Sequence, residues 1–419
     1  MKTIRCHPIQ SQTVGVPGSK SYTHRVLIAA ALAKGRSTIT NALISEDTRL
    51  TMAALEKLGI RLQGQGSRIE VDGLGGCFAP CPQAIDLGNS GTSMRLITAV
   101  AALGRGDYFL TGSPRMRQRP IADLVAALSQ AGVAVVTVNN DGCPPVRLTA
   151  HPVAGGRVTV NGAISSQFLS GLLLLAPLTQ AGLDITVAAE LVSRPYVDLT
   201  IDVMERFGIG VERQGYRRFW VSGGQAYRAG AVMVAPDASQ AGYFWAAAAI
   251  TGATITVAGI LPASRQGDAR FVDVLSAMGC RVAVGQQGIA VTGGPLRAVD
   301  VDMADMPDLV PTLAVVAAFA KGNTHIGGVA HLKAKESDRL AAVINELAKM
   351  GVEARSDGKN LVVAGSRPHG AVIETYNDHR IAMSFALAGL VVPGLIIADE
   401  GCVAKSFPAF WEVLDRLYR

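Results

Sequence analysis

Apolar positions along the chain alternate between two periods. A spacing of three to four residues marks helices, and a spacing of two marks strands with one buried face. One composite pattern returns five times: a helix ending on an apolar residue and Gly, a short strand, a turn, and a second strand ending in Gly. It reads LEKLGIRLQGQGSRIEVDGLG from Leu55, LSQAGVAVVTVNNDGCPPVRLT from Leu128 and MERFGIGVERQGYRRFWVSGG from Met204. It returns as LSAMGCRVAVGQQGIAVTGG from Leu275 and LAKMGVEARSDGKNLVVAG from Leu347. Ahead of each copy stands another helix, rich in Ala and Leu, then a Gly suited to a left-handed cap and a β-branched strand, as in AAALAKGRSTIT and WAAAAITGATITV. The C-terminal HRIAMSFALAGLVVPGLIIADEG with FPAFWEVLDRL is a sixth copy without its closing hairpin.

A helix, strand, helix, strand, strand unit cannot bury both its helices alone. Three copies around a common centre make one globule, so six make two. The expectation is an α/β protein of two globular domains. The break falls between the third and fourth copies, near residues 231–236. A strand expected over Thr3–Gln10 completes the sixth copy and places the N-terminus in the second domain. The first domain is thus 13–233 and the second 1–12 plus 234–419. Crossings near 11–16 and 231–236 form a hinge for closure over ligands.

Composition supports this reading. At 419 residues the chain exceeds what one core usually organises. With 49% hydrophobic but only 5% aromatic residues and 46 Gly, the core is built of small aliphatic side chains joined by tight turns. The net charge of +6 is scattered, which suits a small acidic ligand and not nucleic acid. Six cysteines include one C-x3-C pair, Cys77 and Cys81, with no His set to complete a zinc site, so the expectation is buried thiols in a reducing cytoplasm. No stretch is long and apolar enough to predict a membrane span.

Chemistry-bearing residues gather at helix starts, where unpaired N–H groups and the helix dipole favour anions. PGSKSYTHR brings Lys20, Ser21 and Arg25, and DLGNSGTSMRL brings Asn89, Ser90, Gly91 and Thr92. SPRMRQRP crowds Arg115, Arg117 and Arg119, while SSQFLS and SRPYVDLT supply Ser165, Ser166, Gln167, Ser193 and Tyr196. MPDLVPT places Asp308, and AKESDRL places Lys335, Glu336 and Arg339 within one helical turn. YNDHR and CVAKSFP add Asp378, His379, Arg380 and Lys405. Taken singly, each is equally an ordinary cap or a solvated salt-bridge helix. Six copies repeating the placement point instead to anion-binding ends aimed at one shared cleft.

These segments, with DASQAGYF, resemble the enolpyruvyl transferases in order and almost end to end, on the branch acting on shikimate-3-phosphate. The resemblance implies two domains of inverted α/β barrel type, each from three βαβαββ repeats. It implies phosphoenolpyruvate contacts at Lys20, Asn89, Gly91, Arg119, Gln167, Arg339, His379, Arg380 and Lys405. Shikimate-3-phosphate contacts fall on Lys20, Ser21, Arg25, Ser165, Ser166, Gln167, Ser193, Tyr196, Asp308, His331 and Lys335. Asp308 is the candidate base, with Glu336 and Lys20 as candidate proton donors. The implied reaction needs no metal, cofactor or covalent nucleophile, and the implied protein is a cytoplasmic monomer and a target of glyphosate. Ser90 stands where many relatives have Ala, Leu96 where many have Pro, and His331 where some have Asn. A sibling branch acting on UDP-N-acetylglucosamine usually carries a reactive Cys before its Arg-Pro, and GSPRMRQRP has none. A nucleic-acid clamp would spread its basic residues along a rim, unlike this chain.

Overall fold

The glycine after each Ala/Leu-rich helix turns the chain back at the same point of every copy. Its φ is 106° at Gly35, 79° at Gly106, 73° at Gly182, 81° at Gly252 and 102° at Gly322, a region that L side chains enter only under strain. The computed structural model describes residues 1–418. The helices, in chain order, are α1 (Lys20–Leu32), α2 (Glu46–Lys57), α3 (Gly91–Ala101), α4 (Ala122–Gln130), α5 (Ser166–Leu175) and α6 (Pro195–Arg206). They continue with α7 (Ala238–Thr251), α8 (Phe271–Ala277), α9 (Val310–Ala317), α10 (Arg339–Lys349), α11 (His379–Ala388) and α12 (Phe410–Arg416).

Odd-numbered helices are buried on every side. All of α1 except Ser21 is buried, as is all of α3 except Thr92, and α9 and α11 are buried throughout. A helix apolar all round belongs at the centre of a domain, and Ala lets its neighbours approach closely. Even-numbered helices bury one stripe only, as α10 does through Leu340, Ala342, Val343 and Leu347. The strands also bury one face: in Arg68–Leu74 the buried positions are Ile69, Val71 and Gly73. Within each unit, helices therefore lie inside and sheets outside.

Each sheet repeats one order. In the second copy Ile85–Asp86 runs parallel to Gly106–Thr111, which pairs antiparallel with Val146–Ala150, which pairs in turn with Ala134–Thr137. The third and fifth copies match it. The first and fourth copies exchange their leading strands. Gln12–Val14 leads into α1 but pairs parallel with Thr254–Ala258, whereas Ala231–Met233 leads toward α7 but pairs parallel with Lys34–Thr40.

By its contacts the chain divides into residues 18–234 and residues 1–17 with those from 235 onward. Residues 13–17 thus lie with the second unit, not the first as the sequence reading had it, because the strand Gln12–Val14 is paired there. The N-terminal strand is also shorter than expected. Only Lys2–Thr3 pairs, antiparallel to Ile396–Ile397, completing the sheet of the sixth copy. Pro8, lacking an N–H, could not have continued a ladder over Thr3–Gln10.

Candidate active site

In the 18–234 unit, α1, α3 and α5 begin with Ser19, Ser90 and Ser165 as N-caps, each accepting from a backbone N–H of the first turn. Lys20 follows the first cap and is buried, with its Nζ 3.0 Å from Oδ2 of Asp47. Arg25, one turn further, is also buried. It donates from Nε to Thr200 Oγ1 at 2.7 Å, from Nη1 to the Ser21 carbonyl at 2.9 Å, and from Nη2 to Ser170 Oγ and the Tyr196 carbonyl at 3.3 and 3.1 Å. Burial pulls its pKa down to about 10. Four of the five guanidinium N–H groups are thereby used, and one on Nη1 remains.

Arg119 lies against the start of α3. Its Nη1 donates to the carbonyl and side-chain oxygens of Asn89 at 2.9 and 3.3 Å. Gly91 makes this possible: a Cβ there would overlap the guanidinium groups of both Arg119 and Arg95. Of the three clustered arginines only Arg119 is buried, while Arg117 is exposed. Gln167 reaches from α5 to Thr92 on α3, donating from Nε2 at 3.0 Å. Ser166 is buried beside it in the first turn of α5. Ser193 holds a left-handed φ of 55° just ahead of α6, and its buried hydroxyl has no hydrogen-bond partner. Tyr196 lies in the first turn of α6.

In the other unit the chemistry centres on Arg339. Its Nε donates to Asp378 Oδ2 at 2.8 Å, Nη1 to Asp308 Oδ1 at 2.9 Å and Nη2 to Glu336 Oε2 at 3.0 Å. Burial opposes its charge, but the three carboxylates outweigh that and hold its pKa above the ordinary range. Asp308 is shared: Arg380 Nη2 donates to its Oδ2 at 2.7 Å, while Arg380 Nη1 donates to the Tyr243 hydroxyl at 3.0 Å. The carboxylate is thus clamped between two buried guanidiniums and keeps 19% of its side-chain surface exposed. His331 is buried nearby, its pKa lowered to about 3 by burial first and then by Lys335, so the ring is neutral near pH 7. His379 lies beside Asp378, which caps α11, and Lys405 is buried at the end of a short turn, Glu400–Lys405.

The expectation for AKESDRL needs correcting. Lys335 and Glu336 do not share a helix with Arg339, since Asp338 is the N-cap and α10 begins at Arg339 itself. Ser337 can then reach Asp378 at 3.0 Å, and Arg339 turns inward instead of forming a solvated pair. Several partners escaped the sequence reading, among them Asp47, Arg95, Tyr243 and Asp268. Asp268 is buried against the Ser239 hydroxyl, and burial followed by Asp308 pushes its carboxyl up to about 7. The motif DASQAGYF, which contains Ser239 and Tyr243, was the one available signal.

Comparison with known proteins finds relatives along almost the whole chain. The family model of EPSP synthase (3-phosphoshikimate 1-carboxyvinyltransferase) matches residues 7–414. A 3-phosphoshikimate 1-carboxyvinyltransferase of Methanoculleus marisnigri is 46% identical over 400 residues, covering 95% of this chain and 94% of the relative. One from Shewanella sediminis is 43% identical over 419 residues, with 98% of each covered. A solved EPSP synthase of Acinetobacter baumannii superposes with a TM-score of 0.83 at 28% identity, over 99% of this chain and 97% of that one. Six repeats, anion-suited helix starts in both units and a match running almost end to end lead to one conclusion: the chain belongs to the EPSP synthase (3-phosphoshikimate 1-carboxyvinyltransferase) family.

Proposed function

We propose that this chain transfers the enolpyruvyl group of phosphoenolpyruvate to the 5-hydroxyl of shikimate-3-phosphate and releases phosphate. The observation that carries the reading is the Asp308 carboxylate, partly exposed and held in place by Arg339 and Arg380. Paired to two guanidiniums, it is held in one orientation, as a base that takes a hydroxyl proton must be. The 5-hydroxyl oxygen adds to C2 while C3 gains a proton, giving a tetrahedral adduct. Loss of phosphate from C2, with return of a C3 proton to the group that delivered it, then re-forms the double bond. Glu336, 3.0 Å from Arg339, and Lys20 are the proposed acids.

The two substrates carry about four to five negative charges, which call for convergent cations and desolvated donors. The proposed phosphoenolpyruvate ligands are Lys20, Asn89, Gly91, Arg119, Gln167, Arg339, His379, Arg380 and Lys405. Ser165, Ser166 and Ser193 would take the sugar phosphate, Ser21 and Arg25 the carboxylate, and Asp308, His331 and Lys335 the ring side, with Tyr196 stacked. The partnerless hydroxyl of Ser193 and the remaining N–H of Arg25 support this division. The proposed protein is a monomer of the cytoplasm acting on small molecules. Phosphate release from phosphoenolpyruvate, measured with shikimate-3-phosphate and separately with UDP-N-acetylglucosamine, tests the reading. Turnover with the first acceptor alone is expected, and turnover only with the second would refute it.

A further inference from the structure

Helix α10 starts at Arg339 and carries Glu346 seven residues on, two turns along the same face. Glu346 has no exposed side-chain surface, yet it belongs to none of the proposed substrate contacts. Its oxygens are taken up mainly by one loop. Oε2 accepts the Glu374 N–H at 2.9 Å, and Oε1 accepts the Tyr376 hydroxyl at 2.7 Å. Lys349 Nζ also reaches Oε2, at 2.8 Å, from the solvent side. A buried carboxylate is costly unless its oxygens are paired, so its partners indicate what it does.

The loop it grips is strained. Tyr376 and Asn377 are consecutive left-handed residues, with φ of 54° and 51°, and the turn closes with the Asp378 N–H donating to the Thr375 carbonyl at 2.8 Å. Such a turn persists only where its surroundings over-determine it. On its near side Glu374 and Tyr376 are tied to Glu346. On its far side Asp378 accepts from Arg339 Nε at 2.8 Å and from the Arg380 N–H at 2.9 Å. Both anchors, Arg339 and Glu346, belong to α10, so one helix holds the turn at two points.

We infer that Glu346 is a positioning residue for the phosphoenolpyruvate site. By gripping the strained turn it fixes Asp378, and through Asp378 the guanidinium of Arg339 and the start of Arg380. The inference rests on the proposed role of Arg339 and Arg380 in holding phosphoenolpyruvate. Its signature is unequal, because the proposed phosphate and carboxylate ligands of shikimate-3-phosphate lie in the 18–234 unit, and only its ring contact at Asp308 is tied to Arg339.

The test compares Glu346→Ala, Glu346→Gln and Tyr376→Phe in the full-length enzyme. Steady-state phosphate release gives KM for phosphoenolpyruvate, and calorimetry gives Kd for shikimate-3-phosphate alone. The Ala variant is expected to raise the KM at least about tenfold, with the Kd within about threefold of the parent. Gln restores most of the loss, because its amide can accept from Glu374 and donate to the Tyr376 oxygen. Tyr376→Phe, which removes one of these bonds at a ring 42% exposed, is expected to raise the KM about three- to fivefold. A parental KM in Glu346→Ala, or an equal weakening of both substrates, overturns the inference. Should the Ala variant fail to fold, a parental KM in Tyr376→Phe overturns it just as well. A parent that turns over neither substrate would instead refute the proposed function and this inference with it.

Discussion

Gly91→Ala tests how tightly the start of α3 is built. A Cβ on Gly91 falls within contact distance of Arg119 Nη2 and Arg95 Nη1, and 2.8 Å from Arg119 Cζ. Favourable carbon contacts begin near about 3.5 Å, so the Arg119 guanidinium must retreat by roughly 0.7 Å. It has little freedom to do so. Its Nη1 is tied to both oxygens of Asn89, Arg95 Nη2 donates to the Pro120 carbonyl at 2.9 Å, and both side chains are buried. Overpacking of a rigid site costs about 1–3 kcal/mol, which converts to roughly a 5- to 150-fold rise in KM for phosphoenolpyruvate. Phosphate release at saturating shikimate-3-phosphate measures it, and a KM within about twofold of the parent would refute the reasoning. The same variant bears on glyphosate. The room that Gly91 leaves by having no Cβ is filled in the structure by an arginine. The parent is expected to be inhibited competitively, and Gly91→Ala to lose sensitivity through displacement of Arg119. Equal inhibition curves for the two proteins at matched phosphoenolpyruvate saturation would rule that out.

Asp308→Ala is expected to fold, because Arg339 keeps Asp378 and Glu336 and Arg380 keeps Tyr243, while turnover falls about 10²- to 10⁴-fold. Near-parental turnover would remove Asp308 from the chemistry. Ser193→Ala deletes a buried hydroxyl that has no partner, so the urea midpoint should stay level or rise while Kd for shikimate-3-phosphate weakens about tenfold or more. A lost midpoint with unchanged affinity would make Ser193 structural. His331 titrates near 3 when folded against an ordinary 6.5, so the unfolded chain binds the proton first and stability falls as pH drops from 6.5 toward 3. Between pH 7.5 and 5, His331→Asn should lose roughly 2 kcal/mol less stability than the parent by urea titration. Identical losses would contradict a neutral buried ring.

The repeat, the two-unit count and the helix starts were legible because their causes are local. An Ala-rich run followed by Gly and a β-branched strand specifies helix, left-handed turn and strand within a dozen or so residues, whatever it packs against. Ser19, Ser90 and Ser165 cap helices for the same reason, since a cap needs only the next turn of backbone. What is decided at long range was not legible. Gln12–Val14 would fit the edge of any of the sheets, and only the packed structure pairs it with Thr254–Ala258, beyond α1 and α2 and two further repeats. Arg339 next to Glu336 reads as a surface pair. Its burial depends on Asp378, thirty-nine residues downstream, and on Asp308, thirty-one upstream. Lys20 finds Asp47, and Glu346 finds Tyr376, in the same way. Sequence spacing carries the periodicity of backbone hydrogen bonding and so determines elements. Which charge meets which is set by distances in the folded chain, and there desolvation decides the partners.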